Sequence, residues 1–306
     1  MKLSIVIVSY NTKRLTLNCI KSILDTVKDV SYEIILVDND STDKSVEAVR
    51  KFAKSKDPLK NNLKIIENKK NLGFAKANNQ AKSFARGEYI LFLNSDTIVH
   101  ENTINESLEY LDSHKRVAAL TCKIVLPDGK LDKDVRRSFI TPWIGFTHIF
   151  LRLDRLFPES KLFAKYWYGY IPEDKTHEVD VLQGAYFLVR KKVLDEVGWF
   201  DEDYFLDGED VDLCWRIKQA GWKIVYFPKV KITHFKGSSK GKVESIRRKK
   251  IPLKKKLRFR MAGVDSMEIF VRKRLWDSYP LAFNLFMLAG IKLLKLIRFL
   301  RTVLLG

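Results

Sequence analysis

The stretch Glu88 to Thr97, EYILFLNSDT, breaks an apolar run with three small polar residues, Asn94, Ser95 and Asp96. A run such as Tyr89–Leu93 has the composition of a strand buried on both faces. Ligands of open α/β sheets gather beyond the carboxyl ends of such strands. A carboxylate there is a hard oxygen donor, suited to Mg²⁺ or Mn²⁺ beside a diphosphate; it suits equally an Asx-turn that caps the next helix. A second group of acids comprises Asp203 and Asp207, which precede the segment GEDVDLCWR (208–216), and Glu209, Asp210 and Asp212 within it. Acids favour helix N-termini, but five exceed what capping needs. The excess serves either surface solvation or a general base. His234, in Ile232-Thr233-His234-Phe235, is a lone histidine of the kind that is usually structural.

The elements that must position these residues alternate. Leu3–Val8 and Glu33–Val37 are short β-branched strands that end in Ser9-Tyr10-Asn11 and in Asp38-Asn39-Asp40-Ser41-Thr42-Asp43. Leu15, Cys19, Ile20, Ile23 and Leu24 recur at helical spacing between them, and Thr42 or Asp43 can cap a helix through Val46, Val49 and Phe52. Leu63–Ile66, a helix through Ala77 and Ala81, and Tyr89–Leu93 continue the pattern; a helix near 101–114 and the strands Val117–Val125, Asp180–Arg190 and Trp222–Phe227 follow. Such alternation implies an α/β fold with right-handed crossovers and a mainly parallel central sheet. The three polar strand ends would then line one crevice. GxGxxG and GxxxxGK[ST] are both absent, so the crevice must hold its ligand through carboxylates and metal rather than through a glycine-rich phosphate loop.

The chain of 306 residues is 46% hydrophobic and 30% charged, a globular composition. Its net charge of +19 is uneven, because residues 242–306 hold 17 Lys/Arg against 4 Asp/Glu. Cys19, Cys122 and Cys214 match no metal or redox spacing and read as buried apolar residues of a reducing compartment. The first apolar run is cut at Ser9 too early for a secretion signal, and no stretch of about 20 apolar residues indicates a spanning helix. A cytoplasmic location is the expectation. Residues 138–175 are rich in Phe, Trp and Tyr, read either as an irregular helical insertion with its own small core or as a surface that receives an acceptor.

Together these pieces resemble the inverting family 2 glycosyltransferases, GT-A fold enzymes with nucleotide-sugar donors, and within them the bacterial rhamnosyltransferase-like branch that builds cell-surface polysaccharide. The residues that carry the resemblance are SIVIVSYN (4–11), EIILVDNDSTD (33–43), NLGFAKANNQ (71–80), GEYILFLNSDT (87–97), GAYFLVRKKVLDEVGWFDEDYF (184–205), GEDVDLCWRIKQAGW (208–222) and THF (233–235), collinear over about 1–240. The resemblance implies that Ser9, Tyr10 and Asn11 hold the nucleotide and that Asp38 bonds its base. Asp40, Asn71, Gly73 and Asn78 would line the same pocket. Asn94-Ser95-Asp96 stands where the family carries its Asp-x-Asp motif, with Asp96 the metal ligand and Asn94, a weaker donor, on ribose or metal. Asp210 would be the catalytic base with Glu209 beside it, and His234 would join Asp96 on a divalent cation.

The tail differs in character. Residues 247–260 read RRKKIPLKKKLRFR, and 281–305 place Leu293, Leu296, Ile297, Leu300, Val303 and Leu304 on one helical side with Lys292, Lys295, Arg298 and Arg301 spread over the other. That pattern is a basic amphipathic helix of the membrane interface; a helix packed on the core is the competing account. A nucleic-acid arm would not need the Leu, Ile and Phe content, so no nucleic-acid partner is expected. The reading is a glycosyltransferase domain over 1–240 and a basic membrane-associating region over 241–306. The enzyme would be peripheral on the cytoplasmic membrane face and act on a lipid-linked glycan. The rivals are a sugar nucleotidyltransferase, which would want glycine in SYNTKR, and a non-catalytic basic protein binding RNA or anionic lipid.

Overall fold

In a computed structural model, residues 1–56, 59, 61–236 and 253–304 are described. The first half alternates as the pattern demands: β1 (Leu3–Ser9), α1 (Lys13–Thr26), β2 (Tyr32–Asp38), α2 (Ser45–Lys54), β3 (Leu63–Glu67), α3 (Phe74–Asn79) and β4 (Tyr89–Asn94). These strands lie parallel in the order β3-β2-β1-β4. Their register brings the polar ends level, with Ser9 opposite Asp38 and Val8 opposite Asn94. Asp43 joins the helix starts, accepting from the Lys13 amide at 2.8 Å and the Ser45 amide at 3.1 Å. It satisfies amides that both helices leave unpaired at their first turns.

The second half runs β5 (Thr97–Val99), α4 (Thr103–Ser113), β6 (Val117–Val125), β7 (Arg136–Arg137), β8 (His177–Glu178), β9 (Val181–Leu182), β10 (Tyr186–Arg190), α5 (Lys191–Val197), α6 (Glu209–Gln219) and β11 (Lys223–His234). β10 enters antiparallel between β4 and β6, β11 is parallel to β6, and β5 and β8 pair antiparallel with β11. The expected strand 180–190 is broken around Gly184, and its first residues pair with β7 in a separate ribbon. The strand expected to end at Phe227 instead continues to His234. Pro228, which cannot donate to a ladder, sits where the β6–β11 register slips between Phe227 and Lys231, so it marks an irregularity rather than a terminus.

The segment expected to line the pocket, around Asn71–Asn78, is locked to the turn at Phe200–Phe205. Asn79 donates to the Phe200 carbonyl at 2.8 Å and accepts from its amide at 3.1 Å, while the Phe74 amide donates to the Phe205 carbonyl at 2.8 Å. Gly73 sits at φ +90, and a Cβ there would lie 2.5 Å from the Phe205 carbonyl oxygen, so no other residue fits without displacing the loop. Phe200 and Trp199 pack on Phe92 at 4.6 and 5.6 Å between ring centres. Each such buried ring stabilises the fold by about 1.5–3 kcal/mol.

The C-terminal helices α7 (Leu253–Phe270) and α8 (Leu281–Leu304) run antiparallel, with Lys295 paired to Asp265 and Arg298 donating to the Arg260 carbonyl. Val264, Phe270, Val271, Leu275, Leu288 and Ile291 form a second core that meets Phe139, Val211 and Trp215 of the main domain. The predicted apolar side of α8 faces outward: Leu293, Leu296, Ile297, Leu300, Val303 and Leu304 are all exposed. Within the described residues no helix is long and apolar enough to cross a membrane. The basic run at 247–252, residue 305 and the expected boundary at 240 lie outside the described residues.

Candidate active site

β4 ends at Asn94, and Asp96 follows in a turn fixed from two sides. Ser95 Oγ lies 3.0 Å from Thr12 Oγ1, and the Asp96 carbonyl accepts from the Phe235 amide at 2.8 Å. His234 is the last residue of β11 and pairs with Thr97 in the β11–β5 ladder, which carries the ring across to Asp96. Its Nε2 lies 3.3 Å from Asp96 Oδ1 and 3.4 Å from the Asn94 amide. On the other ring nitrogen, Asp132 Oδ2 is 3.6 Å from Nδ1, an ionic contact too long for a hydrogen bond. Asp132 also accepts from Gln183 at 3.1 Å and from Lys236 at 2.8 Å, and Lys236 pairs with Asp134. Burial works against a charged His234, yet Asp132 and Asp96 lift its pKa to about 9. Burial would raise Asp132, but His234 and Lys236 hold it well below the carboxylate range.

These residues fit a divalent cation as partial ligands. With metal–ligand bonds of about 2.1 Å, two donors on one ion stand roughly 3 Å apart, close to the Asp96–His234 separation. The buried imidazole must lose its proton to ligate, and the Asn94 amide can offer its oxygen as a third donor. Among the described residues no three His, Cys, Asp or Glu side chains form a complete cage. Mg²⁺ is commonly held by one or two carboxylates and completed by substrate phosphates.

Across the crevice the acid cluster divides by position. Asp203 pairs with Lys273 at 2.6 Å. Asp212 is fully buried on α6 between Arg216 at 2.8 Å and Arg274 at 2.6 Å, a structural clamp. Asp210, in the first turn of α6, accepts from the Val211 amide at 2.8 Å on Oδ1 and from Arg137 Nη2 at 2.8 Å on Oδ2. Burial would lower the Arg137 pKa, but the Asp210 and Tyr166 groups beside it raise it above the guanidinium range. Gly208 just before α6 has φ +105, and a Cβ there would meet Ser266 of α7 at 2.7 Å. The helix start can therefore approach α7 only with glycine at this position.

One cavity of about 440 Å³ joins these parts. Of the residues expected from the sequence, Tyr10, Asn71, Gly73, Asn94, Asp96, Glu209, Asp210 and His234 line it. Ser9, Asn11, Asp38, Asp40 and Asn78 are not among its lining. Ser9 Oγ bonds within a buried hydroxyl group with Thr12 and Thr16, Asn11 accepts from the Thr42 amide at 2.8 Å, and Asn78 donates to the Phe74 carbonyl. Asp38 is buried, which pushes its pKa up; one oxygen accepts from the Ser41 amide at 2.9 Å and the other has no partner among the described residues. Asp40 takes a left-handed backbone, φ 74, at the end of β2. Asn39, from the polar end of β2, lines the cavity as that strand end was expected to; sequence reasoning missed Arg137, Gln183, Lys236 and Phe259, which line it as well. Phe259 of α7 stacks near Tyr10 at 6.4 Å, and the Arg258 guanidinium lies 3.7 Å over Phe205, so α7 closes one wall.

Residues 4–198 match the family model described as Glycosyl transferase family 2. The chain belongs to that family. The match ends before α6, so Asp210 and His234 lie beyond it. Over 231 residues the chain is 29% identical to N-acetylglucosaminyl-diphospho-decaprenol L-rhamnosyltransferase of Mycobacterium tuberculosis, covering 72% of this chain and 71% of that one. It is 25% identical over 240 residues to the O-antigen biosynthesis protein RfbC of Myxococcus xanthus, covering 78% of this chain and 18% of that one. Among solved structures, the mannosyltransferase PcManGT from Pyrobaculum calidifontis in complex with GDP-Man and Mn²⁺ aligns with TM-score 0.57 at 18% identity, over 98% of this chain and 73% of that one. S. aureus TarS 1–349 in complex with UDP-GlcNAc gives TM-score 0.57 at 18% identity, over 99% and 74%. These likenesses show the GT-A fold expected from the sequence. They support a glycosyltransferase rather than a non-catalytic binder.

Proposed function

We propose that this family 2 member transfers a sugar from a nucleotide-diphosphate donor to a hydroxyl of a lipid-linked glycan in cell-surface polysaccharide synthesis, with inversion at the anomeric carbon. The observation that carries the reading is the convergence of Asp96 and His234, 3.3 Å apart, with Asp210 in one cavity. Asp96 and His234, helped by Asn94, would hold Mg²⁺ or Mn²⁺. A bound divalent cation neutralises charge that develops on a diphosphate leaving group.

The chain's own residues supply the rest. Asn39 and Asn71 form a hydrogen-bonded pair at 3.2 Å beside the donor end, and Asp38 keeps an acceptor, unused among the described residues, for a nucleobase N–H. Asp210 takes the proton of the acceptor hydroxyl as its oxygen bonds the anomeric carbon and the bond to the diphosphate oxygen breaks. Arg137 holds that carboxylate in place until then. A single displacement of this kind inverts configuration and needs no nucleophilic side chain. The rhamnosyltransferase relative named above suggests rhamnose as the sugar and a lipid diphosphate as the acceptor anchor. The outward apolar side of α8, flanked by Lys292 and Arg298, supports docking on an anionic, cytoplasm-facing membrane surface.

The test is nucleotide release from a panel of UDP-, dTDP- and GDP-sugars with Mg²⁺ or Mn²⁺, with donor binding read by calorimetry. One nucleotide should be released in a metal-dependent manner, and the release should vanish in Asp96→Ala and Asp210→Asn. If no nucleotide sugar binds in the presence of metal, the reading fails.

A further inference from the structure

A second cavity of about 500 Å³ opens between the aromatic segment and the C-terminal helices. Ile140, Phe146 and Phe150 form one wall, and Met267 of α7 with Met287 and Leu294 of α8 form the other. Its size lies within the roughly 300–1,000 Å³ of pockets that enclose organic ligands. The inner end is not apolar. Arg137, Asp207 and Gly208 line this cavity and the donor cavity alike, so the two meet at one wall. Arg137 there touches Asp210 at 2.8 Å, and its buried Nε has no hydrogen-bond partner among the described residues. The outer lip is exposed hydrocarbon: Phe146 is 52%, Phe150 56% and Phe286 74% accessible. Large aromatic side chains grouped around an apolar opening are costly to leave in water and mark a binding surface.

An apolar channel with a guanidinium at its inner end matches an amphiphile whose hydrocarbon chain ends in a phosphate, because Arg pairs with phosphate through several N–H donors. Building on the transferase reading, we propose that this cavity seats the proximal hydrocarbon of the acceptor lipid. Arg137 meets the lipid's phosphate and the attached sugar hydroxyl is thereby delivered to Asp210. The same contact explains how Arg137 can leave the base: a phosphate oxygen offers its guanidinium another partner. The exposed side of α8 continues the apolar lip outward, giving the rest of the chain a path to a bilayer.

Full-length protein is titrated with a polyprenyl phosphate in detergent below its micelle concentration, and transfer is measured to sugar diphosphates carrying either a long polyprenyl chain or a single isoprene. Gly290 and Met287 line or border the cavity on α8, and Gly290→Leu and Met287→Trp fill it without placing a polar group inside. Donor affinity and the unfolding midpoint report on folding in both variants. Wild type should bind the polyprenyl phosphate, and both fillings should weaken binding at least tenfold. They should also raise KM for the long-chain acceptor far more than for the short one. Absence of polyprenyl phosphate binding by wild type overturns the proposal, as do equal effects on both acceptors or binding only to vesicles. Lipid binding that is lost in the fillings, with no transfer to any acceptor, would refute the acceptor assignment under Proposed function and leave the lipid cavity standing.

Discussion

The Arg137–Asp210 pair gives a quantity that can be worked out in advance. Both side chains are nearly buried, at 15% and 11% exposure. Removing one partner of such a pair costs about 3–5 kcal/mol because the other charge is left unpaired. The two halves are not equivalent. Asp210 without Arg137 keeps the Val211 amide on Oδ1 and a place in the first turn of α6, where the helix dipole favours an anion by roughly 0.3–1 kcal/mol. Arg137 without Asp210 keeps the distant Leu182 carbonyl at 3.4 Å and the Tyr166 group. Arg137→Ala should therefore cost about 2–3 kcal/mol and Asp210→Ala about 3–4 kcal/mol, both below or within the range for broken buried pairs. The double variant should cost less than the two singles added, by about 1.5–3 kcal/mol. Urea unfolding of the four proteins measures the cycle. Additivity within about 0.5 kcal/mol would mean that the pair is not coupled, and the account of Arg137 as the group that holds the base would be abandoned.

Two further outcomes are expected. Asp132 stands behind His234, as partners of metal-ligating histidines do, so Asp132→Asn should weaken Mn²⁺ binding in the presence of nucleoside diphosphate about 10–100-fold; unchanged affinity by calorimetry would remove His234 from the ligand set. Asp201 ties the turn after α5 to Lys273 at 2.7 Å and Arg274 at 3.4 Å. Burial pushes its carboxyl up, but Lys273 and the Asp203 amide outweigh that and hold it below 3.8. A depressed carboxyl contributes stability that is present above its unfolded pKa and lost as pH falls through the folded one. Docking of the C-terminal helices should thus weaken from about pH 4 downward, and Asp201→Asn should flatten that part of the stability–pH curve; an unchanged slope, read by Trp215 and Trp276 fluorescence, would contradict the assignment.

What could be seen in the sequence follows the range of the forces involved. LSIVIV, IILV and YILFL read as buried strands because short uncharged runs rich in β-branched and aromatic residues, bounded by polar turns, favour that structure. Their polar ends then fall on one edge by topology alone, which is why Asp96 stood out, whereas Asp210 stood out as one of five acids around a helix start. The direction of β10 was not legible, since YFLVR reads the same in either orientation. Arg137 lay in a two-residue strand beside another arginine, with no local sign that it would be buried against Asp210. Nothing in KVKITHFK distinguishes Lys236 from the exposed lysines before it. In α8 the apolar residues have two fates: Leu288 and Ile291 enter the second core, while Leu293 and Leu296 face outward. Periodicity marks the stripe but not the partner of each residue.

The C-terminal helices also change how the crevice must be understood, because they are part of its wall. Phe259 lines the crevice cavity, Ser266 fills the space that only glycine at position 208 leaves, and Arg274 completes the clamp on Asp212, two residues beyond Asp210. α8 is bound to α7 through the Asp265–Lys295 pair and the shared core of Val264, Leu288 and Ile291. A surface that engages the exposed side of α8 is therefore separated from Gly208 and Asp210 by only one packed helix. Packed cores shift between discrete arrangements rather than deforming smoothly. The contacts from α8 through α7 to Gly208 are continuous, and the Asp201–Lys273 and Asp212–Arg274 pairs tie the same helical unit to the turn and helix that carry Asp210.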